Sequence, residues 1–246
     1  MAVKNFGIDL SYANKINDYG ALLASDYNGH KIKYAILRLG YIGKVDTRFA
    51  EHYAALSGKI PLGVYVYSYA RTTEEAKAEA QWALKQIKEL NIEFPVIFDY
   101  EDSKVLSPKL SKAEYTAICK AFLDEIKAAG YYAMMYCNPS FIEMYADKAE
   151  LLKYPLWLAH YTDDGKQKQY GQKMWQFGTF QPARAVGEID GNFAYEQLGK
   201  YIRDNGLNQP VIQYKVTGTK TVTKADLGKA QAQLIALGFD VDAEVL

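Results

Sequence analysis

At 246 residues, with 29 acidic and 29 basic side chains and no net charge, the chain has the length of one large α/β domain with a small appendage. It carries no global positive field of the kind that gathers nucleic acid. No run of about 20 apolar residues is present to span a bilayer, and the start Met1-Ala2-Val3-Lys4-Asn5-Phe6 lacks the apolar core of a secretory signal.

The expected elements follow in order. Phe6 to Leu10 reads as the first strand and contains Asp9; Tyr34 to Leu39 reads as the second. Leu62 to Tyr69 is the third, with Tyr65, Tyr67 and Tyr69 on one face. Thr72-Thr73-Glu74-Glu75 then forms a capping box that opens a helix with an apolar stripe of Ala76, Ala80, Ala83, Leu84, Ile87 and Leu90. The fourth strand, Pro95 to Glu101, precedes a second box, Ser111 to Glu114, whose helix carries Ile118, Phe122 and Ile126 on one face and ends at Gly130. Tyr131 to Cys137, Pro155 to Tyr161, Lys173 to Phe177 and a short piece around Ile189 complete eight strands.

Strands alternating with helices imply parallel pairs joined by helical crossovers, because a tight turn does not close a parallel pair. Eight strands favour a closed barrel. An open doubly wound sheet is the alternative, but no glycine-rich phosphate turn follows the first strand. The last three strands are separated by too little sequence for full helices. The expected fold class is therefore α/β, an irregular TIM-like (β/α)5(β)3 barrel over residues 1–203, helix-covered early and strand-linked late.

Residues 204–210 read as a polar linker. Residues 211–246 read as a small C-terminal strand-helix-strand element, below the size at which a core stands alone. Its Lys215, Lys220, Lys224 and Lys229 suit contact with anionic wall polymers; self-association is the other expectation. Cys119 and Cys137 are expected to be buried free thiols. Neither they nor His30, His52 and His160 show metal-pair spacing, so no metal or other cofactor is expected.

In Pro95-Val96-Ile97-Phe98-Asp99-Tyr100-Glu101-Asp102 an apolar strand ends in three acids. Side chains alternate along a strand, so Asp99 and Glu101 point one way and Tyr100 the other. Barrel enzymes place their sites at the carboxyl ends of strands. Two carboxylates there repel, which raises one pKa and keeps one group protonated beside an ionised neighbour. Glycosidic cleavage needs that division: a proton for the leaving oxygen, and negative charge for the oxocarbenium-like centre. Glu101, with its longer reach, is the expected acid.

A solvated strand end explains an isolated Asp-x-Glu equally well. In a closed barrel, however, the first and last strands are neighbours, which brings Asp9 and Asp190 to the same rim. Tyrosine is in excess, 21 against ten Phe, and a flat ring with a hydroxyl suits sugars. Tyr65, Tyr67, Tyr136, Trp157, Tyr161 and Trp175 gather at strand ends, with Asn138 and Gln176 beside two of them; they are expected to divide between core and cleft lining.

The order of Gly7-Ile8-Asp9-Leu10-Ser11, Gly63-Val64-Tyr65, Asp99-Tyr100-Glu101, Tyr136 with Asn138 and Phe141, Pro155-Leu156-Trp157-Leu158-Ala159-His160-Tyr161, Trp175-Gln176-Phe177 and Gly187-Glu188-Ile189-Asp190-Gly191-Asn192 resembles the family 25 glycoside hydrolases. These are phage and bacterial muramidases of the lysozyme, endolysin or autolysin type, and the likeness runs from about Phe6 to Tyr201. It implies hydrolysis of the β-1,4 bond between N-acetylmuramic acid and N-acetylglucosamine in bacterial peptidoglycan. Glu101 would be the general acid, Asp99 would orient the N-acetyl group or stabilise charge, and Asp9 and Asp190 would line the floor. Tyr65, Tyr136, Trp157 and Tyr161 would hold sugars, with Tyr67, Asn138, Trp175 and Gln176 beside them. Many relatives carry His-Phe where this chain has Val66-Tyr67, and an apolar residue between the Asp and Asn of Asp190-Gly191-Asn192. A non-catalytic peptidoglycan-binding module and a glycosidase of another N-acetylated polymer such as chitin are the alternatives. The expected history is synthesis in the cytoplasm, of a host if the protein is viral and with a holin-type partner in that case, and action on the cell wall.

Overall fold

The computed structural model describes residues 4–106, 110–182 and 187–209. Strand β1 (Asn5–Leu10) is followed by helix α1 (Tyr19–Ala24) and by a hairpin of β2 (Asp26–Tyr27) and β3 (His30–Lys31). The hairpin turns through Asn28 and Gly29, at φ 51° and 80°, the left-handed pair that a two-residue turn requires. Then come β4 (Ala35–Tyr41), β5 (Lys44–Val45), α2 (Phe49–Leu56), β6 (Leu62–Tyr67), α3 (Thr73–Ile87) and β7 (Val96–Asp99). Helix α4 (Lys112–Ala128) leads to β8 (Ala133–Cys137), α5 (Pro139–Met144), α6 (Lys148–Leu151) and β9 (Leu156–Ala159). Strands β10 (Met174–Phe180) and β11 (Ile189–Ala194) precede α7 (Leu198–Asp204).

Eight strands close the expected α/β barrel. β1, β4, β6, β7, β8, β9 and β10 are parallel neighbours in that order, and β11 completes the ring antiparallel to both β10 and β1. The reversal follows from length, since the chain from Phe180 to Ile189 has no room for a helical crossover.

Alternation along each strand builds two apolar layers. Ile36, Ile97, Met134, Tyr136, Trp157 and Met174 fill the barrel, and the Tyr34 ring stacks on Phe94 at 4.4 Å. Leu37, Val64, Phe98 and their neighbours face outward, onto Ala76, Ala80, Ala83 and Ile87 of α3 and Ile118, Phe122 and Ile126 of α4. Each large aliphatic or aromatic side chain so covered contributes about 1.5–3 kcal/mol.

The helix starts behave as their sequences dictate. Ser111 and Glu114 form a reciprocal capping box, and Gly130, at φ 83°, turns the chain out of α4. Thr72 caps α3 through the Glu75 N–H, but the Glu75 carboxylate accepts from the Arg71 N–H, one residue away from the expected partner. Cys119 and Cys137 are buried free thiols.

The stretch expected to be a linker from residue 204 is anchored in its described part. Asn208 is buried, accepts from the Tyr132 N–H at 2.7 Å and donates to the Phe94 carbonyl at 2.8 Å. The C-terminal element of residues 211–246 lies outside the described residues. Among the described residues no helix is long and apolar enough to cross a membrane.

Candidate active site

Four carboxylates reach one mouth of the barrel by separate routes. Asp9 lies on the inward face of β1, between the outward Ile8 and Leu10. The antiparallel β11 pairs Asp190 directly with it. Asp99 is the last residue of β7, and the next residue turns away: the Tyr100 ring stacks on Phe98 and its hydroxyl donates to the Ala70 carbonyl at 2.8 Å. That outward turn leaves Glu101 on the side of Asp99. The groups sense one another's charge, Asp99 that of Glu101 and Asp9, and Glu101 that of Asp102 and Asp190.

Burial therefore acts on acids that are already crowded. Burial, then Asp190, pushes the Asp9 carboxyl up to about 7, although Asn192 and Gln176 donate to its Oδ2 at 2.8 and 3.0 Å. Asp99 is driven well above the usual carboxylate range by burial and then by Glu101, against the opposing pull of Arg38. Its Oδ1 has no hydrogen-bond partner among the described residues. Glu101, less buried, is raised by burial and then by Asp102 and Asp190; Asp190 is raised by burial. Such a mouth holds protons toward neutral pH, the condition a carboxylic general acid needs.

Beneath the acids lies a hydrogen-bonded floor. The Trp157 indole N–H donates to Asn192 Oδ1 at 2.8 Å, and Gln176 Oε1 accepts from the Tyr136 hydroxyl at 2.8 Å and the Tyr161 hydroxyl at 3.0 Å. Tyr136, Trp157 and Gln176 are buried, whereas Tyr161 is 66% exposed at the rim. Tyr65 and Tyr67 are half-buried on neighbouring inward positions; Tyr67 pairs with Asp99 in register and donates to Asp102 Oδ2 at 3.1 Å. Asn138 caps α5 by accepting the Phe141 N–H at 2.9 Å.

Trp175 does not belong to this set. The alternation that sends Gln176 inward sends Trp175 to the outer wall, where it is buried beside Phe193 and donates to the His160 carbonyl at 2.8 Å. Its expected place in the cleft is corrected accordingly.

Sequence reasoning missed Arg38, Asp46 and Tyr12. The Arg38 guanidinium sits between the rings of Tyr12 and Tyr67, 5.2 and 5.0 Å from their centroids, and 3.9 Å from Asp46. Asp46 is fixed in turn by the Tyr12 and Arg48 N–H groups, at 3.0 and 2.9 Å. The available signal was a lone cation inside an otherwise apolar strand. Among the described residues no group of three or more His, Cys, Asp or Glu is arranged to hold a metal.

No curated protein matches this chain; solved structures do. The modular autolysin LytC from Streptococcus pneumoniae is similar at 26% identity and a TM-score of 0.67, over 77% of this chain and 46% of that one. This chain thus spans just under half the autolysin's length. The CTP1L endolysin is similar at 24% identity and a TM-score of 0.66, over 81% of this chain and 70% of its own. The catalytic domain of endolysin ply40, from bacteriophage P40 of Listeria monocytogenes, is similar at 21% identity and a TM-score of 0.63, over 82% and 98%. These last two bear on the fold alone. Residues 8–184, which hold Asp9, Asp99 and Glu101, match the model of the glycosyl hydrolases family 25, and the chain belongs to that family.

Proposed function

We propose that the chain is a muramidase that hydrolyses the β-1,4 bond between N-acetylmuramic acid and N-acetylglucosamine in bacterial peptidoglycan. One observation carries the reading. Glu101 lies at the mouth, where burial, Asp102 and Asp190 together favour its protonated form, so it can give a proton to a glycosidic oxygen. The autolysin LytC has been solved with a synthetic peptidoglycan ligand, which supports the same polymer here.

The steps follow from what the side chains hold. Glu101 protonates the leaving oxygen while the acetamido carbonyl oxygen of the muramyl residue attacks its anomeric carbon, displacing the next sugar. The acetamido N–H is donated to Asp99, whose unpartnered Oδ1 is a buried acceptor that gains a donor only when the site fills. That hydrogen bond favours the ionised form. Glu101, now ionised, takes a proton from water as the water opens the cyclic intermediate and retains the anomeric configuration. Asp102 and Asp190 supply the negative charge that keeps Glu101 protonated until the transfer.

Glu101→Gln removes the proton donor and keeps the shape. Clearing of purified cell walls should fall by about 10²–10⁴-fold with a melting temperature no lower than the parent's; near wild-type lysis would overturn the assignment. Mass spectrometry of the products tests the bond, since reducing-end muramic acid supports a muramidase and reducing-end glucosamine does not. Co-sedimentation with walls but no new reducing ends would identify a binding module instead.

A further inference from the structure

We propose that the outer wall of the barrel carries a second saccharide site, a groove between the β2–β3 hairpin and the loop after β9 that takes one N-acetylhexosamine unit of a glycan strand. The cavity measures about 460 Å³, within the size range of small-molecule sites. It exists because β9 and β10 are joined without a helix. Outward residues that α3 and α4 cover elsewhere are covered here only by two short strands.

The floor is aromatic. Tyr27 stacks on Phe177 at 4.6 Å, and Phe193 lies 5.5 Å from Phe177. The rim is polar: Asn28 at the hairpin tip, then Thr162 and Asp163. Rings below and amide, hydroxyl and carboxylate groups at the edge suit a sugar, whose C–H face and acetamido methyl are apolar and whose hydroxyls are not. The acids do not favour a cation. Asp163 is paired with Lys166 at 2.6 Å, and Asp164, also on the rim, with Lys4. A neutral polyol therefore fits the charge balance.

Chain continuity ties the groove to the mouth. Tyr161 stands exposed at the mouth with its hydroxyl on Gln176, and the next two residues are Thr162 and Asp163 of the groove rim. A glycan leaving the mouth over Tyr161 meets the groove next. The choice of an N-acetylated sugar rests on the proposed muramidase reading; the geometry does not.

The test uses the full chain as Glu101→Gln, isotopically labelled and titrated with tri-N-acetylchitotriose, reading backbone amide shifts. Saturable shifts at Thr162, Asp163 and Gly178 are expected beside those at the mouth. Thr162→Arg, which fills the groove, should erase the groove shifts, keep those of Asp99 and Asp102, and weaken co-sedimentation with cell walls about tenfold. Asn28→Gly keeps the left-handed turn and removes one rim amide, so its weaker binding decides the matter if Thr162→Arg fails to fold. Shifts confined to the mouth, or wall binding unchanged by both substitutions, would overturn the proposal. Lysis by Glu101→Gln would instead sink the catalytic reading and leave these outcomes readable.

Discussion

Burial and the facing Asp190 push the Asp9 carboxyl up to about 7 from its ordinary 3.8, so the folded chain keeps a proton there that the unfolded chain has lost. Between these values stability falls as pH rises: the contribution is complete below about 4 and gone above about 7. Asp9→Asn retains an oxygen for the Asn192 and Gln176 donors and removes the titration. Its melting temperature should exceed that of the parent at pH 8 and match it at pH 4, with the gain reaching about 4 kcal/mol as an upper bound. Equal melting at both pH values would show that Asp9 carries no buried charge. Arg38 acts in the opposite sense, since its positive charge opposes the rise at Asp99. Arg38→Met should therefore raise the Asp99 pKa further and move the acid limb of the pH–kcat/KM profile to higher pH. An unmoved limb would remove Arg38 from the site's electrostatics.

At the scale of elements, β1 shows how the interior constrains a single position. A Cβ on Gly7 would meet the Tyr34 ring at 2.4 Å, and that ring is fully buried against Phe94. Gly7→Ala therefore has to displace a packed aromatic at the bottom of the barrel, at a cost of about 1–3 kcal/mol; chemical denaturation measures it, and an unchanged midpoint would mean that the ring moves freely. The eight barrel strands were legible because strands covered on both faces read as apolar runs, as Val96 to Phe98 does. The same property hid the phase of β10. Met174, Trp175 and Phe177 put apolar side chains on both faces, and so Trp175 was expected in the cleft together with Gln176, although neighbouring strand residues face opposite ways. The β2–β3 hairpin escaped for another reason. Its Asn28-Gly29 signal is present, but the flanking strands are two residues each and mostly exposed, leaving no alternation to read.

On the scale of the whole molecule, the chemistry depends on ring closure. Glu101 and Asp190 are 89 positions apart in the sequence, and Asp190 reaches Glu101 because β11 closes the barrel against β1. The Asp9–Asp190 encounter was readable from strand order alone, but the antiparallel sense of the last strand was not. The consequence appears in the alkaline limb of activity, where Glu101 loses its proton. Negative charge on Asp190 raises the Glu101 pKa, so Asp190→Asn should lower it and move the alkaline limb to lower pH. Asp102 contributes more than Asp190, so Asp102→Asn should move the limb further in the same direction, together with loss of the Tyr67 hydrogen bond. Added salt should shrink both displacements, because Glu101 is partly open to solvent and its neighbours' field is screened there. Asp124→Asn, on the outer helix α4, serves as the control and should leave the limb in place. An alkaline limb that ignores Asp190 would mean that closure of the barrel shapes the mouth without tuning its acid.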